Sequence, residues 1–315
     1  VSIAAVVRRL GMGLLTVLGV TVIIFVLLSV LPGDPLAGLL PENAQPRDRE
    51  ELARRLGLND PLPVRYVAWL RDVARGELGY SPFRRRDIAE LIGAAWMNTA
   101  ILALASAAVG LGLGVLAGTA AAVSRGRWPD RVISTLALTG LSVPSYWVAI
   151  LLVIVCSAQL KVLPASGMHG PEGGTVDFLK HLVMPLIAGS LVTMGVTARV
   201  TRASVAETLG ADFVDLLRAK GLGRWPSLRH VLKNAASPVL TTSGLQLGTL
   251  LGGAVLIETI FSWPGMGLLI YTAISARDLR VVQAATLVIA VTFVLLNLLV
   301  DLLQMTIDPR QRRAA

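Results

Sequence analysis

Apolar residues in this chain run in long stretches separated by short polar, mostly basic segments. Residues 10–31, 99–123, 132–160, 182–198, 239–257 and 281–300 contain no Asp, Glu, Lys or Arg. A helix crosses a bilayer with about 20 predominantly apolar residues, so the pattern predicts six membrane-spanning helices. The 132–160 stretch is longer than one span needs, and its ends are expected to be soft. The first stretch follows Arg8 and Arg9 but is too long for the apolar part of a secretion signal. No A-x-A-like cleavage site comes after it. It is read as an uncleaved first helix, followed by Leu31-Pro32-Gly33-Asp34-Pro35. Composition agrees: 54% of residues are hydrophobic and 16% charged, against about 25% charged in soluble domains.

Lys and Arg in short loops set orientation. Arg8 and Arg9 precede the first stretch, and Arg125, Arg127 and Arg131 lie between the second and third. Arg199, Arg202, Arg218, Lys220, Arg224, Arg229 and Lys233 lie between the fourth and fifth, and Arg310, Arg312 and Arg313 close the chain. The alternate loops hold only Lys161 and Lys180, then Arg277 and Arg280. Both termini are therefore expected in the cytosol. The net charge of +9 is mostly this topological bias and not a nucleic-acid footprint, because the cations flank spans and do not stripe one face.

Residues 32–97 then fall outside. Arg and Asp/Glu are nearly balanced there, and long loops escape the charge rule. Residues 49–56 read as a short helix. Val64, Val67, Leu70 and Val73 recur at helical spacing after the turn Asp60-Pro61-Leu62-Pro63. Ile88, Leu91 and Ile92 mark a third amphipathic piece leading into the second span. The segment reads either as a structured cap or as a docking surface for an external partner.

Catalytic chemistry finds no support. His169, His181 and His230 are scattered without a zinc-ligand spacing. Neither a G-x-S-x-G elbow nor a P-loop occurs. Cys156 is the single cysteine and reads as a small core hydrophobe. No catalytic residue and no metal ligand is assigned. Ion-coupled carriers place acidic or basic groups near the midplane, but here Glu258 and Asp301 fall near span ends, which argues against a secondary transporter.

Two stripes of small residues stand out: Gly110, Gly114 and Gly118, and Gly244, Gly248 and Gly252 with Gly253 beside them. Such stripes let helix backbones approach closely in lipid. Plain helix packing explains both; the second also fits a helix that moves against a neighbour. Thr241, Thr242, Ser243, Gln246 and Thr249 share that second helix. Buried polar groups need partners, so this face is expected to line a wet path, with Thr241, Thr242, Gln246 and Thr249 as its candidates.

The most informative segment is 200–238, a long basic connection centred on Arg218-Ala219-Lys220-Gly221-Leu222. Most helix connections are only a few residues long. Phe213, Leu216 and Leu217 form an apolar ridge on a short helix, with Asp212 and Asp215 at its N-terminal end, where the macrodipole favours negative charge. Gly221 is suited to end that helix in the left-handed conformation. A lipid-headgroup anchor is the alternative, but it leaves the ridge without a use.

These residues, in order, carry a resemblance over nearly the whole chain. Leu31-Pro32-Gly33-Asp34-Pro35 is followed by Leu56-Gly57-Leu58-Asn59-Asp60-Pro61-Leu62, Gly76-Glu77-Leu78-Gly79-Tyr80-Ser81 and Asn98-Thr99. Then come Pro144-Ser145-Tyr146-Trp147, Arg199-Val200-Thr201-Arg202, Glu258-Thr259-Ile260-Phe261-Ser262-Trp263-Pro264-Gly265-Met266-Gly267, Arg277-Asp278 and Asp308-Pro309-Arg310. The chain resembles the inner-membrane permeases of dipeptide, oligopeptide and nickel ABC importers. The resemblance implies an all-α polytopic membrane protein with the type I importer fold. It implies residues 1–97 as first helix plus extracytoplasmic segment, 98–303 as permease core and 304–315 as cytosolic tail. Implied partners are a second permease chain, two ATP-binding subunits that bind the ATP and Mg, and an external solute-binding protein; this chain itself would hold no cofactor. Asp212, Asp215, Leu217, Arg218, Ala219, Lys220, Gly221 and Leu222 would form the ATPase-coupling loop. The general type I importer pattern has Glu-Ala-Ala where this chain has Asp215-Leu216-Leu217; the peptide subfamily often departs there, so the resemblance still implies coupling but does not by itself carry that Glu's role to Asp215. Arg84, Arg85, Arg86, Trp263, Arg277 and Asp278, on the outer side, are candidate docking residues. Peptides are the expected solute, with nickel chelates, haem or glutathione as alternatives on the same machinery. Outside this class, a secondary transporter working alone or a receptor-like membrane protein would show no ATP-dependent uptake.

Overall fold

The structure, a computed structural model, describes residues 3–30, 45–55, 57, 59–170 and 173–307. The Leu31–Pro35 motif, Leu56, Leu58, Asp308 to Arg310, Arg312 and Arg313 lie outside the described residues, as does most of the expected 304–315 tail. The elements in order are α1 (Ile3–Val30), α2 (Pro46–Arg55), α3 (Leu62–Ala74), a minimal hairpin β1 (Tyr80–Ser81) and β2 (Arg86–Asp87), and α4 (Ile88–Val123). Then follow α5 (Trp128–Ser142), α6 (Ser145–Leu152) with a π-helical continuation Val153–Gln159, α7 (Thr175–Leu209) and α8 (Asp212–Ala219). The chain continues through α9 (Arg224–Gly253), α10 (Val255–Ile260), α11 (Met266–Ser275) and α12 (Leu279–Ile307). Among the described residues the only strand pairing is the antiparallel hairpin Tyr80–Asp87 and Ser81–Arg86.

Among the described residues, four helices are long and apolar enough to cross a membrane: Val7–Val30, Ile88–Val123, Thr175–Leu209 and Leu279–Val300. The 132–160 stretch is not one straight helix. It is broken in its middle, where α5 and α6 meet at 96° and make a fifth span if taken together. The reason is local. Pro144 supplies no N–H and disfavours helical backbone at Val143, and Val143 and Pro144 are both extended, with ψ of 125° and 132°. The third amphipathic piece is not separate either: it is the first turn and a half of α4. The 239–257 stretch lies in α9 and α10, which part at Ala254.

α4 and α7 form the most extensive helix pair. Gly110 faces Ser190 and Thr193, Gly114 faces Met194 and Thr197, and Gly118 faces Ala198 and Thr201. Numbers rise together on both helices, so the two run parallel and the chain must return between them, which α5 and α6 do. α9 and α12 run antiparallel, with Gly244 against Val300 and Gly248 against Phe293. Gly244 and Gly248 of the second glycine stripe therefore pack on α12. Three buried clusters hold the bundle. One joins α1, α4, α11 and α12 around Ile88, Met266 and Val281. A second joins α4, α6, α7 and α10 around Met184, Phe261 and Trp263. The third gathers Ala122, Val205, Val214, Val231 and Ala235 at the opposite end. Outside the core, α3 leans on α1: Tyr66 and Thr21 share a 2.9 Å hydrogen bond, and the Phe25 and Tyr66 rings meet edge-on at 5.3 Å.

Candidate functional site

The 200–238 connection is mostly helix. α7 runs on to Leu209, α9 starts at Arg224, and only short turns separate them from α8. α8 lies across the end of the bundle. Val214, 1% exposed, anchors it in the third cluster, with Phe213 packed alongside. The rest of the helix faces outward: Asp212, Asp215, Arg218 and Ala219 are exposed, as is the following Lys220, and Leu216 is 55% exposed. Asp215 and Arg218 pair at 3.2 Å on that outer face. Leu217, half-buried, accepts from the Leu222 N–H at 3.1 Å, and the Arg218 carbonyl accepts from the Gly221 N–H at 2.9 Å. Gly221 sits at φ +78°. This is a Schellman C-cap, which requires a left-handed residue at this place, as the sequence led one to expect. The apolar ridge is thus divided: Val214, which the sequence reading passed over, points in, and Leu216 points out.

A second site lies halfway along the bundle. A cavity of about 160 Å³ is lined by α4, α6, α7, α9 and α10, and it has no charged side chain in its wall. Its polar groups are Ser106, Ser145, Thr193, Gln246 and Thr249. Ser106 stands at the middle of α4, is 1% exposed, and its Oγ has no hydrogen-bond partner. Gly189 across from it leaves the room, since a Cβ there would come within 2.7 Å of that Oγ. Ser145 reaches the cavity because the α5–α6 bend aims the α6 N-terminus inward. Of the path candidates, Gln246 and Thr249 line the cavity, with Thr249 Oγ1 3.2 Å from Gln246 Oε1. Thr241 and Thr242 do not. Their hydroxyls bond to the Ser237 and Pro238 carbonyls of their own helix, so they need no wet surface. Ser106, Ser145 and Thr193 had no sequence signal, because single hydroxyls on three separate helices form no pattern until the helices pack.

The corner at the opposite end of the bundle from α8 corrects the docking set. Residues 258–278 are not an open loop: they fold inward as α10 and α11. Trp263 is fully buried, and its indole N–H donates to the Asn98 carbonyl at 2.9 Å. Asn98 Nδ2 donates to the Pro264 carbonyl at 2.9 Å, and Thr99 Oγ1 accepts from the Met266 N–H at 2.8 Å. Glu258 is fully buried beneath the α11 N-terminus. Its carboxylate accepts from Thr99 Oγ1 at 2.6 Å and from the Gly267 and Leu268 N–H groups at 2.6 and 3.2 Å. Asp278 is 4% exposed and accepts from Ser81 Oγ. Trp263 and Asp278 therefore cannot offer their side chains to another protein; both position the corner. Arg84, Arg85, Arg86 and Arg277 are exposed. Arg84 Nη2 donates to Thr272 Oγ1 at 2.5 Å, which with Ser81–Asp278 stitches the β1–β2 hairpin to the end of α11.

Comparison with known proteins accords with this geometry. Residues 110–313 match the family described as binding-protein-dependent transport system inner membrane component, and residues 3–93 match its N-terminal counterpart. A dipeptide transport system permease protein, DppB, of Alkalihalophilus pseudofirmus is 38% identical over 327 residues, covering 96% of this chain and 97% of its own. A glutathione transport system permease protein, GsiC, of Escherichia coli is 37% identical over 309 residues, covering 98% of each. Among solved structures, an inward-facing MetNI methionine ABC transporter shares the fold, with a TM-score of 0.57 at 14% identity over 70% of this chain and 97% of that one. The chain belongs to the binding-protein-dependent transport system inner-membrane components, the permease subunits of ABC importers, and is a multi-pass inner-membrane protein.

Proposed function

We propose that this chain forms half of the translocation pore of an ATP-driven importer of di- and oligopeptides, coupled to an ATPase through residues 212–222. In this reading it has six spans, α9 with α10 being the sixth, and both termini lie in the cytosol. A second permease, two ATP-binding subunits and an external binding protein complete the complex, and the chain itself carries no catalytic residue. Closure of the ATPases pushes α8; α7 and α9, which flank it, carry the displacement to the mid-bundle cavity. The observation that carries the proposal is α8 itself: a helix pinned by one buried valine, capped at a glycine, and presenting Leu216 and an exposed Asp215–Arg218 pair outward at the basic end of the bundle. A solvated leucine on such a helix fits a protein cleft better than water.

Gly221→Val tests this. No atom lies within 4 Å of a Cβ at Gly221, so the substitution adds no clash and acts through the left-handed backbone, at about 1–2 kcal/mol. Transport-stimulated ATP hydrolysis should fall at least fivefold while the complex still assembles in the membrane. Unchanged stimulation in an assembled complex would remove α8 as the coupling element. A chain purified alone that drives uptake without ATPases would establish the secondary-transporter alternative.

The cavity is proposed as the solute path at mid-membrane. Its uncharged hydroxyl and amide lining suits peptide main chain, which offers both donors and acceptors. In a Cys156→Ser background, cysteines at Ser106, Gln246 and Thr249 should react with charged thiol reagents in a nucleotide-dependent way. Leu104→Cys, on the outer surface of α4, should not. Equal inertness at all four positions in every nucleotide state would take the cavity out of the path. Peptide is favoured as solute by the DppB relative. The GsiC relative makes glutathione, itself a tripeptide, the second reading, and uptake of labelled dipeptide against labelled glutathione separates them. Arg85, Arg86 and Arg277, with Arg84 beside them, are proposed as the exposed part of the binding-protein platform.

A further inference from the structure

A second cavity, of about 190 Å³, opens between α4, α5 and α7 near the basic end of the bundle. That volume is several times the ~30 Å³ share of one water. Its walls are apolar: Ala121 of α4, Ile133, Ala137 and Leu138 of α5, and Ala198 of α7. Its mouth is cationic. Arg199 and Arg202 line it, with Ser134 beside them. Arg202 is already committed: its Nε and Nη2 reach Asp130 Oδ1 and Oδ2 at 2.5 and 2.8 Å. Asp130 is 4% exposed and also accepts from the Gly126 N–H at 2.9 Å and from Ser134 at 3.3 Å. The one carboxylate at the mouth is therefore fully engaged. Arg199 is exposed and its guanidinium has no hydrogen bond or ion pair among the described residues.

The surroundings add to the imbalance. Residues 124–131 and 198–202 together hold five arginines, Arg125, Arg127, Arg131, Arg199 and Arg202, against the single Asp130. Trp128, at the start of α5, is 75% exposed, the place of a tryptophan in the interfacial aromatic belt. From Trp128 to Leu138 is about 15 Å along a helix at 1.5 Å per residue, roughly one leaflet of a ~30 Å hydrocarbon core. The slot thus starts at headgroup level and descends into the acyl region, with cations at the top and methyl groups below. Basic pockets between helices on the cytoplasmic side are suited to anionic headgroups, and a guanidinium matches phosphate with a planar fork of donors.

We propose that this slot is a binding site for an anionic phospholipid of the inner leaflet, with the phosphate on Arg199 and the upper acyl chain along Ile133, Ala137 and Leu138. Asp130 serves the site by holding Arg202 against the wall, which leaves Arg199 as the unpaired donor at the mouth. Because α7 leads directly into α8, a lipid seated here would brace the helix that carries the proposed coupling segment. The binding claim itself does not depend on what α8 contacts.

The test uses the full permease complex in phosphatidylcholine nanodiscs doped with phosphatidylglycerol, with bound lipid read by native mass spectrometry. Wild type should retain phosphatidylglycerol. Arg199→Gln should lower retention about fivefold, Arg199→Lys, which keeps the charge without the fork, should fall between Arg199→Gln and wild type, and Leu138→Trp, which fills the slot without touching charge, should lower it as Arg199→Gln does. Excess inorganic phosphate should leave the lipid in place; displacement by phosphate would show a simple anion site and overturn the assignment to lipid. Equal retention by wild type, Arg199→Gln and Leu138→Trp would also overturn it. So would efficient cross-linking of a cysteine at Leu138 to the second permease, since the slot would then be a subunit seam.

Discussion

Gly118→Leu should abolish assembly of the folded permease, while Gly112→Ala six positions earlier on the same helix should leave it intact. A Cβ at Gly118 would overlap the Ala198 carbonyl oxygen and stand 2.7 Å from Thr201 Cβ and 3.0 Å from the Arg202 amide nitrogen. Gly110 and Gly114 are closed in the same way by Ser190 and Met194 carbonyls, each 2.9 Å from the added atom. These obstacles are backbone, which cannot change rotamer, so relief requires the two helices to separate along their whole length. Overpacking costs about 1–3 kcal/mol where neighbouring side chains can give, and more is expected where they cannot. In lipid the separation is doubly costly, because helix association rests on close packing with no water to expel. Gly112 has nothing within 4 Å of a Cβ, and alanine there gains about 0.5–1 kcal/mol of helix propensity. The yield and monodispersity of detergent-purified complex measure the contrast. A well-folded Gly118→Leu complex would show that the α4–α7 seam is looser than described.

Glu258→Ala should have the next largest effect, a collapse of uptake together with a marked loss of thermal stability. The carboxylate accepts three hydrogen bonds, from the buried Thr99 Oγ1 and Gly267 N–H and from the partly buried Leu268 N–H. Alanine leaves all three unpaired, at about 1–3 kcal/mol for each, and opens a void against the space that Gly265 and Gly267 keep free for the carboxylate. It also removes an acceptor from the N-terminus of α11, where the helix dipole favours one. Glu258→Gln preserves shape and one acceptor but turns an amide N–H toward a donor, so it should fall between wild type and alanine. The order wild type, Gln, Ala in both the unfolding temperature of the complex and the initial uptake rate is the expected result. Gly265→Val should resemble Glu258→Ala, since its side chain would fall on the carboxylate. An alanine variant with wild-type unfolding temperature would make Glu258 a bystander.

The helix proposed to couple, α8, was largely legible in the sequence. Hydrophobic spacing gave a short amphipathic helix, and Gly221 announced its end, because few other residues tolerate a left-handed φ. Its inner and outer faces were not legible. Val214 and Leu216 are both aliphatic, and only the positions of α4, α7 and α9 decide that one is 1% and the other 55% exposed. The same limit governed Glu258. An acidic residue near a span end looks like an interfacial charge until α11 folds back over it and supplies two backbone N–H groups from residues nine and ten positions later.

Apolar runs are a one-dimensional property, so the sequence by itself determined that this is a helical, multi-pass membrane protein and where its polar connections fall. It also determined, through the order of its motifs, the importer family. Tertiary structure decided what depends on two segments meeting. It turned the 132–160 run into two helices at 96°, where Pro144 has no N–H to donate and Val143 is extended. It buried Trp263 and Asp278, which the sequence reading took as docking candidates, because the α10–α11 segment had partners in Asn98, Thr99 and Ser81. And it gathered Ser106, Ser145, Thr193, Gln246 and Thr249 around one cavity. Each lies on an apolar helix where a lone hydroxyl or amide means little, and only the packing of the bundle turns them toward a common space.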